Sequence, residues 1–332
     1  LNNDKVNMVI TGTQLTHPST FLGAPLVKLA DVKSGMTVVS GAPHSMRDRF
    51  GERYGPRGIR NTSITIAERF TNAPDGLIDI ATGKTLSKPV DTKLVDVGDF
   101  NMYPSDVMKT TEGIAAGVAQ VVTKGGFSVC LGGDHYVGFP SCLGYTRALG
   151  QLRPNAKVGY IHIDGHLDFA DSYGPYGKYM NGTNARRISE LDAMQPSNMV
   201  FIGIQGPCYL DQVEMIRRYG GTIFTSQDIE ELGAETVARR AGELAIRGCD
   251  YIYMSFDIDV IDAGFSDGTG SVTMGGMTPS TLFKILGPLS EYPIGSMDLV
   301  ETSPPLDPSN RTPHIAAEAL VKLITPKIFD SR

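Results

Sequence analysis

Apolar residues recur along this chain in short, β-branched runs separated by stretches with helical spacing. The runs are Met36–Ser40, Leu94–Val97, Phe127–Leu131, Val158–Ile163, Met199–Ile204, Thr222–Thr225, Tyr251–Phe256 and Ser296–Val300. Their length and residue types favour strands. The intervening pattern predicts helices over Thr110–Thr123, after Pro140, from about Asn184, and over Tyr209–Tyr219, Ala234–Ala245, Pro279–Leu286 and Pro313–Leu323. Strands alternating with helices predict βαβ units. The expected fold is therefore a single three-layer α/β/α domain around a mostly parallel sheet of about eight strands.

Several stretches fall outside that rhythm. Residues 1–35 read as a loosely structured arm with a short apolar helix near Pro25–Ala30, placed to pack on a neighbouring subunit. Residues 44–60 read as a loop rich in Arg, Gly and Tyr: either a solvated loop, or an active-site wall or subunit contact. Ile78–Ser87 reads as a small hairpin turning at Thr82-Gly83-Lys84. No Pro/Gly-rich linker interrupts residues 36–332, so these form one domain.

Composition changes the picture only by exclusion. The 332 residues carry a formal net charge of -6 with a pI near 5.5, which argues against a nucleic-acid surface. No run of about 18 apolar residues would span a membrane. Leu1 to Lys5 carry no secretory pattern. The four cysteines, Cys130, Cys142, Cys208 and Cys249, form no CxxC pair and read as buried thiols of a reducing compartment. A cytoplasmic protein is expected.

The candidate chemistry sits at the ends of three predicted strands. Val158–Ile163 leads into Asp164-Gly165-His166-Leu167-Asp168, where residues two apart would share a face if the strand continued. Tyr251–Phe256 leads into Asp257-Ile258-Asp259. Phe127–Leu131 leads into Gly132-Gly133-Asp134-His135. Two imidazoles and four carboxylates then converge, a burial that would cost many kcal/mol without a cation. In a parallel sheet such strand ends are also where ligands bind. Oxygen-rich sites with one imidazole per ion suit Mn²⁺, and also Ni²⁺ or Co²⁺. Six ligands, two of them bridging, fit two ions roughly 3.5–4 Å apart, able to lower the pKa of a water toward neutrality. The implied chemistry is hydrolysis without a covalent enzyme intermediate.

These motifs, together with Tyr54-Gly55-Pro56-Arg57 and Val300-Glu301-Thr302-Ser303-Pro304-Pro305, resemble the ureohydrolases, the family of arginase and agmatinase. The resemblance runs over nearly the whole chain and is closest to the agmatinase-like branch. It implies an arginase-like fold and two divalent ions, Ni²⁺ or Mn²⁺. One ion would lie among His135, Asp164, Asp168 and Asp257. The other would lie among His166, Asp164, Asp257 and Asp259, with Asp164 and Asp257 bridging. Glu301 matches the acid that receives a guanidinium, a role suited to a fixed carboxylate facing paired N–H donors. Asp259 is the expected acceptor for the proton of the attacking water. His162 is read as a packing or supporting residue rather than a ligand. The resemblance also implies a trimer or hexamer, of one chain or of two homologous ones.

The chain departs from the family at Asn181, where the resemblance leads one to expect the histidine that relays protons to the leaving amine. Asn cannot do this. Gly165 stands where Ala is usual, and Leu167 and Phe169 are expected to add apolar bulk beside the site. Residues 173–179 carry three tyrosines, of which Tyr176 and Tyr179 are expected with Asn181 and Glu301 to contact substrate, in place of the polar pattern by which arginase reads an α-amino acid. These features suit N-methyl groups and a delocalised cation. The favoured substrate is an alkylated biguanide such as metformin, giving guanylurea and dimethylamine, as in the nickel-associated biguanide hydrolases that this branch resembles. The alternatives are an agmatinase or guanidinobutyrase releasing urea, or a weakly active metal-binding subunit of a hetero-oligomer.

Overall fold

The computed structural model describes residues 19–46, 50–73, 76–78, 80, 85–86 and 93–328. Its strands are β1 (Thr37–Ala42), β2 (Leu77–Ile78), β3 (Thr85–Leu86), β4 (Leu94–Asp99), β5 (Phe127–Gly132), β6 (Val158–Ile163), β7 (Met194–Ile204), β8 (Thr222–Thr225), β9 (Tyr251–Asp257) and β10 (Ile294–Val300). Eight of them form one all-parallel sheet in the order β4-β1-β5-β10-β9-β6-β7-β8. The pair β2–β3 is antiparallel, as a hairpin requires. Its proposed turn at Thr82-Gly83-Lys84 lies outside the described residues.

The helices are α1 (Gly55–Thr71), α2 (Val107–Thr123), α3 (Gly138–Leu152), α4 (Asn184–Ile188), α5 (Leu210–Arg218), α6 (Ser226–Leu232), α7 (Ala234–Ile246), α8 (Pro279–Leu289) and α9 (Arg311–Ile328). Alternate residues of each central strand enter opposite cores. Leu131, Ile161, Ile163, Met254 and Phe256 pack with α1, α7, α8 and α9. Cys130, Tyr160 and Tyr253 pack with α2, α3 and α4. Burial on both faces is what continuous apolar strands require, and it gives the three layers expected.

Two expectations need correction. The stretch read as a loop over residues 44–60 ends in the first turns of α1. Gly55 and Pro56 open that helix, where proline's fixed φ and missing donor cost nothing. Its buried face, Ile59, Ser63, Ile66 and Phe70, also carries Arg60, which is buried because Asp96 takes its guanidinium with two bonds of 2.9 Å. Arg47, Asp48 and Arg49 lie outside the described residues. In the arm, the short helix is not at Pro25–Ala30: single turns occur at Phe21–Gly23 and Leu29–Asp31. Residues 25–27 run alongside β4 instead. The Val27 amide donates to the Asp96 carbonyl at 2.9 Å and the Asp96 amide to the Pro25 carbonyl at 3.0 Å. The described part of the arm therefore packs on its own chain, while residues 1–18 lie outside the described set.

Candidate metal centre and substrate cavity

The chemistry-bearing residues begin where the central strands stop. β6 ends at Ile163, so Asp164, His166 and Asp168 do not share a strand face as the spacing suggested. A turn gathers them. The His166 amide donates to Asp164 Oδ1 at 2.6 Å, and Asp168 adopts the left-handed region at φ 46°. Asp257 is the last residue of β9, and its Oδ1 accepts the Asp259 amide at 2.7 Å, tightening a single 3₁₀ turn. His135 opens a 3₁₀ turn after β5, with Asp134 as its cap.

The cluster itself forms as expected. His135 Nδ1 lies 3.0 Å from Asp164 Oδ2, 3.0 Å from Asp168 Oδ2 and 3.1 Å from Asp257 Oδ2. His166 Nδ1 lies 3.1 Å from Asp259 Oδ2 and 3.4 Å from Asp164 Oδ1. All six residues are thus brought together, with Asp164 facing both imidazoles. His135, Asp164, Asp257 and Asp259 are buried, and His166 is open to the cavity. His162 stacks on His135, with ring centroids 5.0 Å apart and planes within 3°. Its Nε2 is 2.9 Å from Asp164 Oδ2 and its Nδ1 is 2.9 Å from the Tyr160 hydroxyl.

The residues fit a pair of cations. Five carboxylates, counting Glu301, face three imidazoles, counting His162, so negative charge is in excess even if all three rings were protonated. Burial, followed by repulsion from Asp259 and Asp164, pushes the Asp257 carboxyl well above the usual range. Burial and then Asp164 raise Asp259 to about 7. Burial, Asp134 and Asp259 push Glu301 well above its usual range. The neighbouring acids raise both His135, against its burial, and His166, where Asp259 dominates. Asp164 is held low despite its burial, because His162, His135 and His166 all face it. His135 Nδ1 and Asp164 Oδ2 are buried without a hydrogen-bond partner. Groups so strained toward one another are relieved by a shared cation.

A cavity of about 190 Å³ opens over this cluster. That is below the roughly 300 Å³ at which pockets for drug-sized ligands begin, so it suits a small one. Glu301 lies on its wall. Its backbone is left-handed at φ 63°, its amide donates to the Gly133 carbonyl at 2.7 Å, and Oε1 accepts the His135 amide at 2.8 Å. One carboxylate oxygen is thereby fixed. Asn181 lines the same cavity, with Oδ1 buried and unpartnered.

Tyr176 and Tyr179 do not line it. Tyr176 is 60% exposed, and Tyr179 stacks on Phe139 at 6.0 Å. A left-handed glycine at Gly177 turns the loop away between them. Tyr173, Tyr209, Gln205, Gln212, Met180, Pro207 and Leu167 form the wall instead. Phe169 is part of the core, edge-on to Phe201 at 5.9 Å. Gln205 and Tyr209 follow β7, so the rule that parallel sheets bind ligands at carboxyl ends was the signal available for them. Cys208 is exposed at the cavity rim, not buried as its type suggested. A Cβ at Gly165 would lie 2.3 Å from Thr273 Oγ1, so a larger residue there needs that hydroxyl to move aside.

A parallel sheet with this cluster at its carboxyl edge is the framework of a metal-dependent hydrolase. The chain belongs to the arginase family, whose model matches residues 36–325. It is 31% identical over 278 residues to a guanidinopropionase of Pseudomonas aeruginosa, covering 83% of this chain and 81% of that one. It is 28% identical over 306 residues to an agmatinase of Neisseria meningitidis serogroup C, covering 92% and 91%. Among solved structures, the proclavaminate amidino hydrolase of Streptomyces clavuligerus superposes with a TM-score of 0.80 at 25% identity, covering 96% of this chain and 99% of that one. An arginase of Bacillus caldovelox superposes with a TM-score of 0.72 at 22% identity, covering 87% and 97%, and shares the fold.

Proposed function

We propose that this enzyme hydrolyses a small guanidine-type cation that carries no carboxylate, with two divalent ions held by His135, Asp164, Asp168 and Asp257, and by His166, Asp164, Asp257 and Asp259. The observation that carries this reading is the cavity wall. Beside Asp168, Asp257, Asp259 and Glu301 it presents the His166 imidazole, amides, hydroxyls and apolar groups, and no Lys or Arg among the described residues. The tail of a carboxylate-bearing guanidino acid would find no Lys or Arg there, among the described residues, to pair with. A guanidinium meets Glu301.

The ions supply, when bound, the Lewis acidity that makes a water nucleophilic at neutral pH; Mn²⁺ and Ni²⁺ both suit the donor set. The chain's residues do the rest. Glu301 accepts N–H donors from the guanidinium, and the His135 amide keeps its carboxylate aimed. Asp259 offers a carboxylate to take the proton of the attacking water. Its other contact, from the Gly165 amide at 3.2 Å, fixes its rotamer. Asn181 Oδ1, a free acceptor, receives an N–H of the substrate. It orients the leaving group but cannot protonate it.

The substrate we favour is an alkylated biguanide such as metformin, cleaved to guanylurea and dimethylamine, the departing amine taking its proton from the water consumed. The aromatic faces of Tyr173 and Tyr209 suit N-methyl groups and a delocalised cation. A second reading is agmatine, whose distal ammonium suits the same acidic cavity and whose hydrolases cover nine-tenths of this chain. Purified protein loaded with Mn²⁺ or Ni²⁺ would be given metformin, agmatine, 4-guanidinobutyrate and 3-guanidinopropionate, with urea, guanylurea and free amine assayed. Turnover of the cations and none of the acids supports the proposal; preference for a guanidino acid overturns it. Activity appearing only on mixing with a homologous chain would assign the protein to a hetero-oligomer.

A further inference from the structure

Strand register places a buried polar row directly beneath the candidate metal centre. His162 on β6 pairs with Ser255 on β9, Ser255 with Asp298 on β10, and Asp298 with Cys130 on β5. All four residues are 0% exposed. We propose that Ser255 and Asp298, with Tyr253, are positioning residues that commit His135 to bind metal through Nδ1, and so set the affinity of its site. This rests on the two-ion reading above.

With Asp298 ionised, the direction of each hydrogen bond follows. Ionised Asp298 can only accept. Its Oδ1 takes the Ser255 hydroxyl at 2.8 Å and its Oδ2 takes the Tyr253 hydroxyl at 2.6 Å. Ser255 has then spent its one proton. The group at its other side, His135 Nε2 at 2.9 Å, must donate to it. In a neutral imidazole a proton on Nε2 leaves Nδ1 bare. Nδ1 is the nitrogen that faces Asp164, Asp168 and Asp257. The row thus acts as a carboxylate–hydroxyl–imidazole relay, which aims the ring, selects its tautomer and raises its basicity as a ligand. Sheet packing alone gives no reason for a carboxylate here. An apolar side chain would pack at less desolvation cost.

The test uses full-length protein titrated with Mn²⁺, following free ion by electron paramagnetic resonance. Wild-type chain is expected to take two ions. In Ser255→Ala and in Asp298→Asn one of the two is expected to bind roughly 10–100-fold more weakly, the second staying within a few-fold of its former value. A purely structural role would lower the melting temperature and leave both affinities unchanged, and that result in either folded variant overturns the proposal. If neither variant folds, nitrogen-15 shifts of wild-type protein loaded with diamagnetic Mg²⁺ decide it. An Nε2–H tautomer at His135 supports the relay and an Nδ1–H tautomer overturns it. Failure of wild type to bind any ion would instead remove the two-ion reading itself.

Discussion

Asn181 lines the cavity, and in the proposed reaction it faces the departing nitrogen, where its chemistry would limit what can depart. An amide holds one orientation of N–H and C=O and cannot deliver a proton at any accessible pH. Positioned acid–base groups contribute typically 10²–10⁴-fold to rate. Asn181→His is therefore expected to raise kcat on agmatine by about tenfold or more while leaving metal content unchanged, measured as urea release. An unaltered profile would show that residue 181 does not govern the leaving group. The metal-ligand types were legible at this scale because few arrangements of His and Asp are stable in an apolar strand end without a cation. The tyrosine contacts were not legible. Which rings of residues 173–179 face inward depends on the left-handed turn at Gly177, and spacing alone does not report it.

The strands were readable element by element, because residues buried on both sheet faces give unbroken apolar runs. Helix α1 was hidden for the opposite reason. Its first turn contains two glycines and a proline, and its buried face includes an arginine that pairing with Asp96 and Asp99 makes tolerable. Helix α9 depends on an acid just ahead of its first residue. Asp307 is buried, with Oδ2 accepting the Thr312 amide at 2.6 Å and Oδ1 accepting the Ser309 amide at 3.0 Å. Burial acts to raise its pKa, but these hydrogen bonds prevail and hold it below the usual carboxylate value. A carboxyl lower in the folded than in the unfolded state stabilises the fold above its unfolded pKa near 3.9. That contribution fades as pH falls through the folded value. Asp307→Ala is expected to cost about 1 kcal/mol at pH 7, as capping losses do, with the gap to wild type narrowing in acid as the carboxyl is protonated. Urea denaturation at neutral and at acid pH would measure it, and a pH-independent difference would show that packing, not charge, is responsible.

For the molecule as a whole, the sheet order was the least legible feature and the most consequential. Strands β5, β10, β9 and β6 are adjacent in space but far apart in sequence, and their crossovers alone put His135 over Ser255 and Asp298. A charge cluster assembled this way couples metal binding to folding, because the unfolded chain has no site. An ion present at 100 times its dissociation constant adds about 2.7 kcal/mol of stability. Domains of roughly this size shift by about 2–4 °C per kcal/mol. Dialysis against a chelator is thus expected to lower the melting temperature by about 5–10 °C, restored by Mn²⁺ or Ni²⁺. No change in calorimetry would mean that the acids are satisfied in some other way.

β4 is the outermost member of the sheet on its side, and three residues ahead of β1 lie along it: Pro25, Leu26 and Val27 occupy the amide and carbonyl of Asp96. They work as a selvedge on a woven cloth. Open strand borders recruit other strands, which is the route by which β-proteins stick to one another. A version of this enzyme trimmed to begin at β1 would keep every residue of the metal centre, yet it would present a raw hem to its own copies and trade solubility for nothing in return.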